Sequence, residues 1–86
     1  MPGRSLAAGC ALAHQALSLT PQDDPATGWR HAEAQSLYAE CLAARRQRLA
    51  ARLQLQAALA TLEHVRGADH WMTRNVRARI RALAKA

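Results

Sequence analysis

Three observations predict an all-helical fold. Alanine supplies 21 of the 86 residues and leucine 12, and both favour helix. The β-branched residues that strands draw on are only Thr20, Thr27, Thr61, Thr73, Val65, Val76 and Ile80. Apolar residues recur at steps of three and four, the spacing of a helix face, rather than at steps of two. A chain of this length makes one domain. With no Phe, and Trp29, Tyr38 and Trp71 as its only aromatics, it has little to bury, so part of its stability is expected to come from a partner. The expected architecture is a helical hairpin or three-helix unit around one long central helix, open to coiled-coil-like pairing with another chain.

The first helix is expected over about 5–19. Leu6, Cys10, Ala13 and Leu17 follow one another at steps of four, three and four on one face, and Ser5 is placed to cap the start. A loop over about 20–28 follows, because Pro21, Pro25 and Gly28 cannot sit inside a stable helix; Asp24 before Pro25, or Thr27, suits the cap of the next one.

The second helix is expected from about Trp29 to about Arg66, with Gly67 as the residue that ends it and Asp69 as the next cap. A continuous helix over that span is about 57 Å long at about 1.5 Å per residue, while a compact domain of this size is only about 30 Å across. The one candidate break is Arg45-Arg46-Gln47-Arg48. No Pro or Gly occurs between Trp29 and Arg66, and on that ground a continuous, elongated helix is the expectation. Tyr38, Leu42, Leu49 and Leu53 form one apolar stripe along it, beside a ridge of Ala39, Ala43, Ala50 and Ala57, and Leu37, Cys41, Leu55, Leu59 and Leu62 form a second stripe. One neighbouring helix cannot cover both stripes. Either the flanking helices divide them or a partner chain does, and Tyr38, Leu42, Leu49, Leu53, Leu55, Leu59 and Leu62 are the expected partner-packing residues.

The third helix is expected over about 69–83. Met72, Val76, Ile80 and Leu83 share a face, and Arg74, Arg77, Arg79, Arg81 and Lys85 occupy the others. It is a basic amphipathic helix.

Charge along the chain is lopsided. Residues 1–40 carry Arg4 and Arg30 against Asp23, Asp24, Glu33 and Glu40, whereas residues 41–86 carry ten basic groups against Glu63 and Asp69. A field of one sign attracts its complement and repels its own copies. Arg45, Arg48 and Arg52, at i, i+3 and i+7 with Arg46 turned away, form a second basic row on the long helix. Together with Arg74, Arg77, Arg79, Arg81 and Lys85 they are the expected contacts to an acidic protein or to nucleic acid.

Cys10 and Cys41 are too few for a disulfide framework and sit among apolar helix formers, which leads to the expectation of reduced, structural thiols and a cytoplasmic setting. Leu6-Ala7-Ala8-Gly9-Cys10 resembles a bacterial lipobox over five residues, but the apolar segment of about 7–15 residues that inserts an export signal is missing ahead of it, so no lipid anchor is expected. No run approaches the roughly 18 apolar residues of a membrane span.

No enzyme and no cofactor are expected. His14, His31, His64 and His70 with Cys10 and Cys41 show no metal-ligand spacing; Ser5, Ser18 and Ser36 stand in no nucleophile motif, and Asp23-Asp24 reads as loop and cap chemistry. His70 beside Trp71 reads as a helix-cap turn. The expected function is a small protein-interaction module, adaptor- or chaperone-like, that packs against a partner helix and uses its arginine rows to orient an acidic partner. The alternative is a small basic DNA- or RNA-binding accessory protein, although no helix-turn-helix, zinc or stacking signature accompanies the charge.

Overall fold

The computed structural model describes residues 2–20 and 28–85, with side chains over 10–20 and 28–85. Four helices lie among them: α1 (Pro2–Leu19), α2 (Gly28–Ala44), α3 (Arg48–Val65) and α4 (Trp71–Lys85). The expected all-α class holds. Pro2 stands in the first turn, where its missing N–H has no partner to lose, so α1 begins ahead of Ser5 and that residue lies inside the helix. The candidate caps Asp24 and Thr27 lie outside the described residues.

The continuous helix expected over Trp29–Arg66 is not formed. Its place is taken by α2 and α3, joined by Arg45-Arg46-Gln47. The Gln47 N–H donates to the Leu42 carbonyl at 2.8 Å and the Arg46 N–H to the Ala43 carbonyl at 3.0 Å, the paired bonds of a Schellman ending. Such an ending needs a left-handed residue, and Arg46 supplies it with φ 63°. A non-glycine residue there costs about 1–2 kcal/mol. Against this, reversal lets α2 and α3 bury each other's stripes, and each leucine removed from water contributes about 1.5–3 kcal/mol. The burial term wins, which is why the helix breaks without Pro or Gly. A 57 Å rod also has no place in a molecule whose longest dimension is 36 Å.

Of the expected alanine ridge only Ala39 is buried, with Ala43 and Ala57 half-buried and Ala50 exposed, because the break turns α3 so that the alanines one position on face inward and set how close the helices come. Ala32, Ala51 and Ala58 are fully buried and Ala39 is 1% exposed; with Leu42, Leu55, Leu62, Met72 and Val76 they form the core of α2, α3 and α4. Trp29, Tyr38, Leu59, Ile80 and Leu83 close its edges. Arg48 at the start of α3 bonds the Leu83 carbonyl near the end of α4, so these two helices are antiparallel. The flanking helix α1 runs antiparallel along α2, with Cys10 against Cys41, His14 against Tyr38 and Thr20 against His31.

Gly67 ends α3 as expected, with φ 91° and its N–H on the Leu62 carbonyl at 3.1 Å. The next cap is His70 rather than Asp69: its Nδ1 accepts the Met72 N–H at 3.2 Å, and α4 starts at Trp71 and runs on to Lys85. Thr73, fully buried, donates to the Gly67 carbonyl at 2.8 Å and locks the turn onto α4.

The reduced-thiol expectation is also overturned. Cys10 and Cys41 form a disulfide, their Cα atoms 5.5 Å apart across the α1–α2 contact. Distance between residues on different helices is a tertiary quantity, which two isolated cysteines in a sequence do not carry.

Arg46→Gly is expected to raise stability by up to about 1 kcal/mol, because glycine removes the left-handed penalty and gives back part of the gain through its larger unfolded-state entropy. Leu62→Ala, at a side chain 1% exposed, is expected to cost about 2–5 kcal/mol. Urea unfolding followed by circular dichroism measures both; a loss of stability in Arg46→Gly would show that the turn is held by the arginine side chain rather than by its backbone.

Candidate protein-interaction face

Breaking the long helix sorts the expected packing residues into two groups. Leu42, Leu55 and Leu62 are buried in the protein's own core, and Tyr38 and Leu59 are half-buried against it. All five are covered, wholly or in part, within the chain itself: by the folding of α2, α3 and α4 together and, at Tyr38, also by the His14 ring of α1. Leu49 and Leu53 remain, one turn apart on the outer face of α3, at 72% and 59% exposure.

The basic residues divide in the same manner. Arg77 donates to Glu63 Oε2 and to the Ala68 carbonyl at 2.8 and 2.9 Å; Arg79 meets Glu40 at 3.1 Å and also donates to the Ser36 hydroxyl. These two arginines tie α4 to α3 and to α2. Arg48 is taken up by the Leu83 carbonyl at 3.0 Å. That bond offsets an awkward placement, since a cation in the first turn of a helix opposes the helix dipole while a C-terminal carbonyl attracts it. Arg45, Arg46, Arg52, Arg74, Arg81 and Lys85 are exposed and make no ion pair or side-chain hydrogen bond among the described residues.

The reversal also changes where the charge lies. Arg45, Arg48 and Arg52 do not form one row on one helix: Arg45 and Arg46 sit in the α2–α3 turn, and Arg48 opens α3. The antiparallel course of α4 brings its last turn, with Lys85 in it and Arg81 just before it, to the same end of the molecule. Of the acidic residues described, Glu63 and Asp69 belong to the far end of α3 and the turn after it, Glu33 lies in the first half of α2, and Glu40 is paired with Arg79. One end of the bundle is therefore basic without local compensation, and the Leu49–Leu53 face begins there. Arg46 was missed from the sequence because a continuous helix turns it away from its neighbours.

A second apolar feature joins Leu37 and Cys41 of the second expected stripe to residues of α1 that the sequence did not place beside them. Leu12 and Ala16 of α1 and Trp29, Ala34, Leu37 and Cys41 of α2 line an open groove of about 820 Å³. At its edge the guanidinium groups of Arg30 and Arg66 each lie 5.2 Å from the centre of the Trp29 ring, within cation–π range. Among the described residues no three His, Cys, Asp or Glu side chains converge as metal ligands, and no helix is long and apolar enough to cross a membrane.

No protein-family model, curated protein sequence or solved structure matches this chain.

The division among the arginines is testable by stability. Arg79→Ala, which removes the Glu40 pair and leaves the buried Ser36 hydroxyl without its partner, is expected to cost about 1–2 kcal/mol. Arg74→Ala and Arg81→Ala should change stability by less than about 0.5 kcal/mol. Thermal or urea unfolding of the three variants, giving equal losses, would mean that Arg79 is no more structural than its solvated neighbours.

Proposed function

We propose that the protein is a helix-binding interaction module: the outer face of α3, Leu49 and Leu53 framed by Arg45, Arg46 and Arg52, receives an amphipathic helix with acidic flanks from another protein. The observation that carries this reading is the pairing of two adjacent, strongly exposed leucines with arginines that make no ion pair or side-chain hydrogen bond among the described residues. Burying such leucines yields about 1.5–3 kcal/mol each, and glutamates or aspartates flanking the incoming helix would meet the arginines and set its register. Contact of this kind is coiled-coil-like, two helices interleaving apolar side chains between charged rims. A net charge of +6 opposes pairing of two identical copies, which favours a different, acidic chain as the partner. No catalysis and no cofactor enter the reading.

Nucleic-acid binding is the second reading, favoured by one specific observation: the convergence of Arg45, Arg46 and Lys85 at one end of the bundle. Phosphate contacts of that kind attract without reading sequence and weaken log-linearly as salt rises. The cytoplasmic setting rested on reduced thiols. With Cys10 bonded to Cys41, the chemistry favours an oxidising compartment, or in a reducing one a bond that is made and broken.

The test uses a synthetic amphipathic helix with leucines on one face and glutamates on its rims, titrated calorimetrically against the full chain at physiological salt. Micromolar binding is expected, lost in Leu49→Asp and Leu53→Asp while helix content and stability stay unchanged, since both positions are exposed. Arg52→Glu should slow association more than it speeds dissociation. Retained binding in both aspartate variants would remove this face as the site; tight, sequence-selective binding to a DNA duplex at the same salt would replace this reading with the second.

A further inference from the structure

The groove between α1 and α2 is apolar along its length and charged at one end. Ala13, Ala34 and Cys41 are buried at its base, and Leu12 and Leu37 stand 66% and 47% exposed at its sides. The Cys10–Cys41 bond and the Thr20–His31 contact fix α1 antiparallel to α2, so the groove follows α2 from Trp29 to Cys41. At about 1.5 Å per residue that length is about 18 Å, matching an extended fatty acid of about twelve to fourteen carbons. Its volume of about 820 Å³ falls within the range of small-molecule sites, about 300–1,000 Å³. Spread over the length, the volume gives a mean cross-section of about 45 Å², about half that of a helix with its side chains. A chain of methylenes therefore enters this groove where a helix lies only across its top.

The charged side chains at the groove are few and unevenly placed. Glu40, at the Cys41 end, is neutralised by Arg79 at 3.1 Å. At the Trp29 end Arg30 lines the groove, and Arg66 reaches the same indole from just past the end of α3. Each guanidinium lies 5.2 Å from the centre of the ring, so the two are at most twice that distance apart. Neither makes an ion pair or a side-chain hydrogen bond among the described residues. One ring face or edge thus holds two like charges that repel each other. Glu33, one turn along the groove, offsets only one of them. The Trp29 end is left with one positive charge in excess, and the groove beyond it is apolar.

We propose that this groove binds a free fatty acid, its carboxylate between Arg30 and Arg66 and its hydrocarbon chain laid past Ala16, Ala34 and Leu37 toward Cys41. One carboxylate supplies the single negative charge that the Trp29 end lacks, and Arg66 or Arg30 can grip it with two parallel N–H donors. The direction of the chain follows from the same charges. Reversed, the head group would meet Glu40, already bonded to Arg79, and the methyl end would lie between two guanidinium groups. Specificity for chain length comes from burial, since each methylene that finds the groove leaves water, while the first methylene to overrun Cys41 gains nothing. This site is separate from the Leu49–Leu53 face and does not depend on the helix-binding reading.

Dodecanoate, titrated below its micelle concentration into the full chain at physiological salt, tests this. Calorimetry gives the stoichiometry, and in a Trp71→Phe background the fluorescence of Trp29 reports occupancy of the groove itself. Saturable one-to-one binding is expected, with affinity rising about two- to fourfold per methylene from octanoate to dodecanoate. Dodecanol and dodecyltrimethylammonium, with the same tail and no negative charge, should bind at least tenfold more weakly. Arg66→Glu and Leu37→Asp, both at exposed positions that leave helix content unchanged, should each weaken dodecanoate at least tenfold. Arg81→Glu makes the same change of net charge away from the groove and should alter affinity less than twofold. Overturning results are no saturable binding, equal affinity for the ammonium amphiphile, or equal losses in Arg66→Glu and Arg81→Glu, which would mark attraction to net charge alone. A dimer that Leu37→Asp dissociates, with no dodecanoate bound, would assign the groove to a second copy of the chain instead. Leu49→Asp should leave dodecanoate binding intact, so failure of the helix-binding face and failure of this site are separate outcomes.

Discussion

Everything in this molecule depends on one backbone reversal, the left-handed residue Arg46 between α2 and α3. It closes α2 with two hydrogen bonds and turns the chain so that stripes which would lie along one rod instead face each other. A side-chain-bearing residue in that conformation is unfavourable by itself. It persists because Leu42, Leu55 and Leu62, with the alanines between them, leave water when it forms. The alanine ridge contributes through closeness rather than area, since small residues let two helix axes approach until the leucines interlock.

The same reversal determines what the protein offers to others. By internalising five of seven apolar candidates it leaves a two-leucine face, and by bringing the α2–α3 turn beside the end of α4 it gathers cations from three segments. Two arginines of the basic helix then become internal braces. Arg79 reaches α2 and Arg77 reaches α3, so the helix with the greatest charge is also the one whose packing depends on that charge. Its amphipathic pattern is thus structural and electrostatic together, and the exposed remainder, Arg74, Arg81 and Lys85, is smaller than its composition suggests.

The helix α1 stands apart from this logic. The central trio shares one buried core, while α1 packs along α2 and is tied to it by the Cys10–Cys41 disulfide. That division gives the chain two kinds of surface. On α3 the apolar face is exposed and framed by charge; on α2 the groove beside Leu37 is shared with α1.

Local properties were legible in the sequence. Helical class follows from Ala and Leu content, the end of α3 from Gly67, the amphipathic register of α4 from Met72, Val76 and Ile80, and the basic character of the second half from a count of charges. Each depends on residues within a turn or two of one another. The helix break was only half legible: four consecutive polar residues at Arg45–Arg48 interrupt the apolar stripe, but without Pro or Gly the local energy favours continuation, and only burial between distant leucines reverses that preference. The candidate face was legible to the same extent, since Leu49, Leu53, Arg45 and Arg52 stood among the expected residues while nothing distinguished them from Leu55 and Leu62. Tertiary structure alone decided which leucines face inward, which arginines find carboxylates, and that Cys10 meets Cys41. All three are distances between helices, and a one-dimensional pattern assigns a residue to a face of its own helix without saying what stands opposite.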